Sequence, residues 1–223
     1  MEQDIGEKLQ FITRKLELAF GCPVREKASD LLEVLIRTIL SQNTNDRNRD
    51  RAYENLRQQF STWQQVMQAP VEAISSAIRA AGLSNQKGKR IKEILQWIHS
   101  NFGTLDISEI CQWPPQQVIE TFCRLPGIGI KTISVVLLFG CGHDIFPVDT
   151  HIHRISKRVG LITSTTSAEK AHQILGKLIP PGKAYSLHLN LLQLGRTICL
   201  ARNPLCAKCP IGTVCNLGQK LAK

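Results

Sequence analysis

The chain has 223 residues, 43% of them hydrophobic, enough to bury a substantial core in one or two domains and too many for wholesale disorder. No apolar run approaches the roughly 20 residues of a membrane span, and the polar, acidic start MEQDIGEKLQ lacks the basic and apolar regions of a signal peptide, so an intracellular, cytoplasmic protein is expected. Lys and Arg number 28 against 18 Asp and Glu, a formal charge of +10 that suits a polyanionic partner, although ribosomal, RNA-binding and membrane-surface proteins share it.

Ile5, Leu9, Ile12, Leu16 and Phe20 recur at steps of three and four and predict an amphipathic helix over 4–20, which Gly21-Cys22-Pro23 ends. Ser29-Asp30 can cap a buried helix through Leu31, Leu32, Val34, Leu35, Ile39 and Leu40. After Ser41-Gln42-Asn43-Thr44-Asn45 a basic helix follows, with Arg47, Arg49, Arg51 and Arg57 on an exposed side. Ser61 or Thr62 caps the next short helix, and Pro70 fits the first turn of another. Gly82-Leu83-Ser84-Asn85 then breaks into a helix beginning near Gln86. Its first turns carry Lys87, Lys89, Arg90 and Lys92, and its core stripe is Ile91, Ile94, Leu95 and Ile98. Pro114-Pro115 opens a helix over 116–123, and further helices are expected over 132–139, 151–159, 168–178 and 184–198. No segment offers alternating strands, so the fold class is all-α.

Three stretches carry chemistry. In Leu125-Pro126-Gly127-Ile128-Gly129-Ile130-Lys131-Thr132, two glycines let the backbone turn so that its amides can approach another surface. The helix start that follows favours an anion such as phosphate, with Lys131 on its first turn. As a plain reading, the same octapeptide is a helix–turn–helix corner with a surface lysine. The second stretch is Cys199-x6-Cys206-x2-Cys209-x5-Cys215, four thiols within 17 residues, which fit a tetrahedral zinc or a [4Fe–4S] cluster. The other cysteines, Cys22, Cys111, Cys123 and Cys141, read as small core residues, since clustered cysteines inside cells serve metals or catalysis rather than disulfides. The third is Val148-Asp149-Thr150-His151. Asp149 is placed to cap a helix, and it lies 18 residues beyond Lys131, a length that can fold its carboxylate back towards the glycine turn. His151 and His153 lack an evident third metal ligand and suit packing or phosphate contact.

Turn, downstream aspartate and cysteine quartet, in this order from about residue 28 to 215, resemble the endonuclease III branch of the helix–hairpin–helix DNA glycosylases. Gly82-Leu83 and Gly195-Arg196 are smaller echoes. The resemblance implies a central six-helix domain at 26–142 and an iron–sulfur domain built from 1–25 and 143–223, flanking a DNA cleft. It implies removal of damaged bases, oxidised pyrimidines foremost, from double-stranded DNA by a monomeric glycosylase, with cleavage of the abasic site. Mismatched or alkylated bases, or non-catalytic DNA binding, are the alternatives. By the family pattern Lys131 is the nucleophile, in need of a lowered pKa, and Asp149 assists proton transfer. The resemblance favours a [4Fe–4S] cluster on Cys199, Cys206, Cys209 and Cys215 over zinc, its task being to fold a loop bearing Arg196, Arg202 and Lys208. It also implies DNA contacts from Leu125, Gly127, Gly129, Ile130, His151 and Arg196, and a monovalent cation on the hairpin carbonyls. The family's gap-filling glutamine aligns with Asn43, with Gln42 adjacent as a substitute. A glutamine is the family's usual residue there, so this departure bears on recognition of the opposite base.

Overall fold

In the computed structural model, which describes residues 2–26 and 30–221, every regular element is helical and no strand occurs among the described residues. The chain divides into two compact units, Met1–Glu26 with Asp144–Lys223, and Lys27–His143. The first unit opens with α1 (Glu2–Phe20). The second contains α2 (Leu31–Leu40), α3 (Asp46–Gln59), α4 (Trp63–Gln68), α5 (Val71–Ala77), α6 (Ser84–Phe102), α7 (Pro115–Phe122) and α8 (Ile130–Val135). The first unit resumes with α9 (Thr150–Val159), α10 (Ala168–Leu178), α11 (Ala184–Thr197) and α12 (Asn216–Leu221).

In the second unit α2 is the hub, because Leu31, Leu32, Leu35, Ile36, Ile39 and Leu40 are all buried against α3, α6 and α8. Asp30 caps it, accepting from the Leu32 amide at 2.8 Å and from Trp63 Nε1 at 2.6 Å; the other capping candidate, Ser29, lies outside the described residues. Thr62 and Gln65 form a capping box on α4. Pro70, expected at the first turn of the next helix, is the residue that opens α5: with φ −58° and ψ 144° it precedes the first helical residue, and its carbonyl accepts from the Ala73 amide at 3.1 Å. The exposed basic side expected of α3 is only partly free. Arg49 lies 2.9 Å from both Asp46 and Asp50, and the Arg57 guanidinium sits 4.6 Å over the Trp63 ring, which leaves Arg47 and Arg51 exposed.

The helix after the glycine turn does not stay α throughout. Beyond Val135 it widens into a π-helical turn, Val136–Cys141. This turn brings Cys141 to a disulfide with Cys111, at a Cα separation of 5.0 Å, while Cys22 and Cys123 are exposed. The reading of these four cysteines as small core residues is therefore corrected. Cys111 lies in a 3-10 turn, Ser108–Gln112, and is bonded to Cys141 at the end of the π-helical turn, while Cys22 and Cys123 lie just past the ends of α1 and α7 and face water.

In the first unit α1 buries Leu9, Ile12 and Leu16, and packs on α11. Polar ties fasten both of its ends: Lys8 Nζ donates to the Val159 carbonyl at 2.6 Å, and Lys183 Nζ pairs with Glu17 at 2.9 Å. The short α12 and the 3-10 turns at Cys206–Lys208 and Gly212–Val214 follow no apolar period, so residue spacing does not announce them.

Candidate functional site

The glycine turn is a type II turn, with Pro126 and Gly127 at its two central positions. The Ile128 amide donates to the Leu125 carbonyl at 3.1 Å, and Gly127 takes φ +84°, a conformation that a side chain would strain. Gly129 is extended and opens α8, its carbonyl accepting from the Thr132 amide at 2.9 Å and from Ile133 at 3.2 Å. Lys131 is the second residue of α8 and is half-buried, as is Ile130. Leu125 is 8% exposed and donates its amide to Phe122 at 3.0 Å, so it anchors the turn rather than facing outward. The amides of Gly127 and Gly129 have no acceptor among the described residues, which leaves them available to a ligand.

Two neighbours hold this turn. Gln42 Nε2 donates to the Gly127 carbonyl at 3.1 Å. Arg90 of α6 lies across the glycine itself: a Cβ built on Gly127 would come 2.7 Å from Arg90 Cδ and 2.8 Å from Nε. With Gln42 turned inward, Asn43 is the exposed tip of the 41–45 turn, at φ 53°. A second left-handed tip is Leu83, at φ 49° and 55% exposed. A non-glycine residue in this conformation costs about 1–2 kcal/mol, and an exposed leucine recovers none of that by burial. Its trace in the sequence is the pair Gly82-Leu83 ahead of a basic helix, which does not by itself reveal a left-handed tip. Lys87, by contrast, is 1% exposed, and donates to the carbonyls of Leu40 at 2.8 Å and Ala81 at 2.9 Å. Burial holds its pKa below the ordinary lysine range. Its ammonium thus fixes the end of α2 from which the 41–45 turn departs.

In the other unit, Asp149 is half-buried and caps α9, accepting from the Ile152 amide at 2.8 Å. The approach to it is pinned: the Val148 amide donates to His172 Nε2 at 2.9 Å, and His188 Nδ1 donates to the Pro147 carbonyl at 3.1 Å. His151 Nδ1 lies 3.1 Å from Arg154 Nη2, and His153 Nε2 lies 2.8 Å from the Thr166 carbonyl, so both histidines have protein partners. Arg154 also donates to the carbonyls of Gly195 at 2.9 Å and Cys199 at 2.8 Å. One turn on, Arg158 donates to Leu200 at 2.6 Å, Ala201 at 2.9 Å and the Cys199 sulfur at 3.3 Å. One helix therefore carries Asp149 at its start and holds the cysteine loop along its length. Arg196, Arg202 and Lys208 are exposed around that loop.

Cys199, Cys206, Cys209 and Cys215 line a single cavity with apolar walls that include Ile198 and Leu217. Burial, with the other three sulfurs nearby, pushes the Cys209 thiol up. Among the described residues no three His, Cys, Asp or Glu side chains converge closely enough to hold one ion. Four thiols on one apolar cavity are a donor set that fits either a zinc ion or an iron–sulfur cluster.

Comparison with known proteins bears on both units. A family profile described as HhH-GPD superfamily base excision DNA repair protein matches residues 36–181. The chain is similar to an endonuclease III of Thermotoga maritima, 33% identical over 207 residues that cover 93% of this chain and 92% of that protein. It is also similar to the endonuclease III of Bacillus subtilis, 30% identical over 195 residues, 87% of this chain and 85% of the other. Its backbone matches that of an endonuclease III trapped as a covalent intermediate with DNA, with a TM-score of 0.83 at 25% identity, covering 100% of this chain and 99% of that one.

Proposed function

The chain belongs to the HhH-GPD superfamily of base excision DNA repair proteins, and from that premise we propose that it removes oxidised pyrimidines from duplex DNA and cuts the strand at the abasic site left behind. It is a DNA glycosylase with AP lyase activity, and double-stranded DNA is its partner. The observation that carries the reading is Lys131, a half-buried amine on the first turn of a helix opened by the glycine turn.

A base stacked in a duplex must leave the stack before its glycosidic bond can be attacked, at a cost of a few kcal/mol that a damaged pair reduces. Exposed left-handed tips suit that task, Asn43 to fill the gap and Leu83 to wedge between bases. The Lys131 nitrogen then forms a bond to the sugar C1′ as the bond to the base breaks. Asp149 accepts the amine's proton and offsets positive charge on the sugar. Opening of the sugar ring gives a Schiff base, which acidifies the C2′ hydrogen. Loss of that proton expels the 3′ phosphate oxygen and cuts the strand. Gly127, Gly129 and their neighbours would hold the backbone, with a monovalent cation on the hairpin carbonyls, and His151 and Arg196 would add further DNA contacts.

Residues 26–142 would form the six-helix domain, and 1–25 with 143–223 the domain holding the cluster. Cys199, Cys206, Cys209 and Cys215 would hold a [4Fe–4S] cluster whose contribution is to fold the loop. Arg154 and Arg158 fasten that loop to the Asp149 helix. A cytoplasmic location beside the DNA completes the reading.

Borohydride trapping tests it on duplexes carrying thymine glycol, an abasic site or a G·T mismatch. Covalent product is expected with the first two and is lost in Lys131→Ala. A product that survives Lys131→Ala would remove the assigned nucleophile, and trapping confined to the mismatch would move the substrate class.

A further inference from the structure

The first turns of α6 carry four cations, Lys87, Lys89, Arg90 and Lys92, and the fold accounts for three of them. Lys87 caps Leu40 and Ala81, Lys89 pairs with Glu93 at 3.8 Å, and Lys92 donates to the Ala69 carbonyl at 2.7 Å. Arg90 is the exception: among the described residues it makes no hydrogen bond or ion pair. It is nevertheless half-buried, and its Cδ and Nε lie where a side chain on Gly127 would have to go. Its nitrogens are not among the buried atoms that lack partners, so its unused donors are open to solvent. A long side chain laid along a glycine of the turn, with its donors outward and unclaimed, matches the requirement for a planar fork that receives an anion.

We infer that Arg90 is a phosphate-binding residue, taking the backbone oxygens of the strand that the Gly127 turn faces. The inference rests on the DNA-repair reading and adds to it a side-chain partner for that strand. The absence of a side chain at Gly127 serves two ends, the left-handed turn and the bed on which Arg90 lies. Gln42, on the Gly127 carbonyl, holds that bed in place.

The test is binding of the full-length protein to a duplex with a tetrahydrofuran abasic analogue, titrated with salt. Arg90→Gln should bind more weakly at low salt, with a slope of log affinity against log salt shallower by about 0.9, as for one lost phosphate contact. Arg90→Lys should keep the slope and recover part of the affinity, because it retains the charge and loses the fork. Methylphosphonates placed one at a time around the abasic analogue should identify a phosphate whose neutralisation weakens the wild type and leaves Arg90→Gln unaffected. An Arg90→Gln protein with the wild-type slope overturns the inference, as does a wild type indifferent to every neutralised phosphate. A wild type that does not prefer the abasic duplex to an unmodified one overturns the repair reading as well.

Discussion

The Gln42 side-chain amide donates to the Gly127 carbonyl at 3.1 Å, which makes the turn that displays Asn43 and the turn that precedes Lys131 one hydrogen-bonded assembly. A neutral hydrogen bond of this kind contributes about 1 kcal/mol. Gln42→Ala should therefore weaken binding of an abasic-analogue duplex roughly fivefold, and Gln42→Glu, which sets acceptor against acceptor, should weaken it more. Equal affinities for the three proteins in a fluorescence titration would show that the two turns act separately.

Asp149 has a structural task, capping α9, that can be separated from the chemical role proposed for it. Asp149→Asn keeps an acceptor for the Ile152 amide, whereas Asp149→Ala removes it. The alanine variant should lose about 1 kcal/mol of capping, or about 2–4 °C in melting temperature, and the asparagine variant far less. Both should lose a factor on the order of 10²–10⁴ in single-turnover base release. An asparagine variant with wild-type turnover would confine Asp149 to capping.

Lys87 makes stability depend on alkaline pH in a definite direction. Because burial lowers its folded-state pKa below 10.5, the unfolded chain holds more protons between that lowered value and 10.5. The cost of the buried charge is present in full below the window and is relieved as pH rises through it. Lys87→Met should lose on the order of 2 kcal/mol near neutrality, from two carbonyls left without a donor, and should lack that alkaline rise. Urea midpoints for both proteins between neutral pH and the lysine range decide the matter, and parallel curves would contradict the assignment.

The disulfide closes a loop between residues 30 apart in sequence. Chain entropy alone assigns such a loop roughly 3–4 kcal/mol. A Cys111→Ser, Cys141→Ser protein, or the wild type under thiol reductant, should unfold at correspondingly lower denaturant. Unchanged midpoints would mean that the packing of the π-helical turn suffices without the bond.

The helices were legible where apolar residues repeat. Leu9, Ile12 and Leu16, or Ile91, Ile94 and Leu95, announce a buried stripe from spacing alone. Boundaries set by backbone conformation were harder to read: α6 begins at Ser84 rather than near Gln86 because Leu83 turns left-handed. In the candidate site, Lys131, Asp149 and the four cysteines stand out by residue type and order. Arg90, Leu83 and the inward turn of Gln42 do not, since each depends on which residue lies beside which after folding. Charge misled in one place, where two of the four arginines on α3, Arg49 and Arg57, proved to be engaged with Asp46, Asp50 and Trp63.

The Cys111–Cys141 bond also changes the connectivity of the molecule, since Leu125 to Lys131 lie between its two ends. The glycine turn and the amine beside it sit on a closed covalent ring rather than on an open chain. A single protease nick within that ring leaves one particle under non-reducing conditions and two fragments after reduction. The segment assigned to grip DNA can thus be cut once without separating into two chains, which is a measure of integrity quite apart from folding energy.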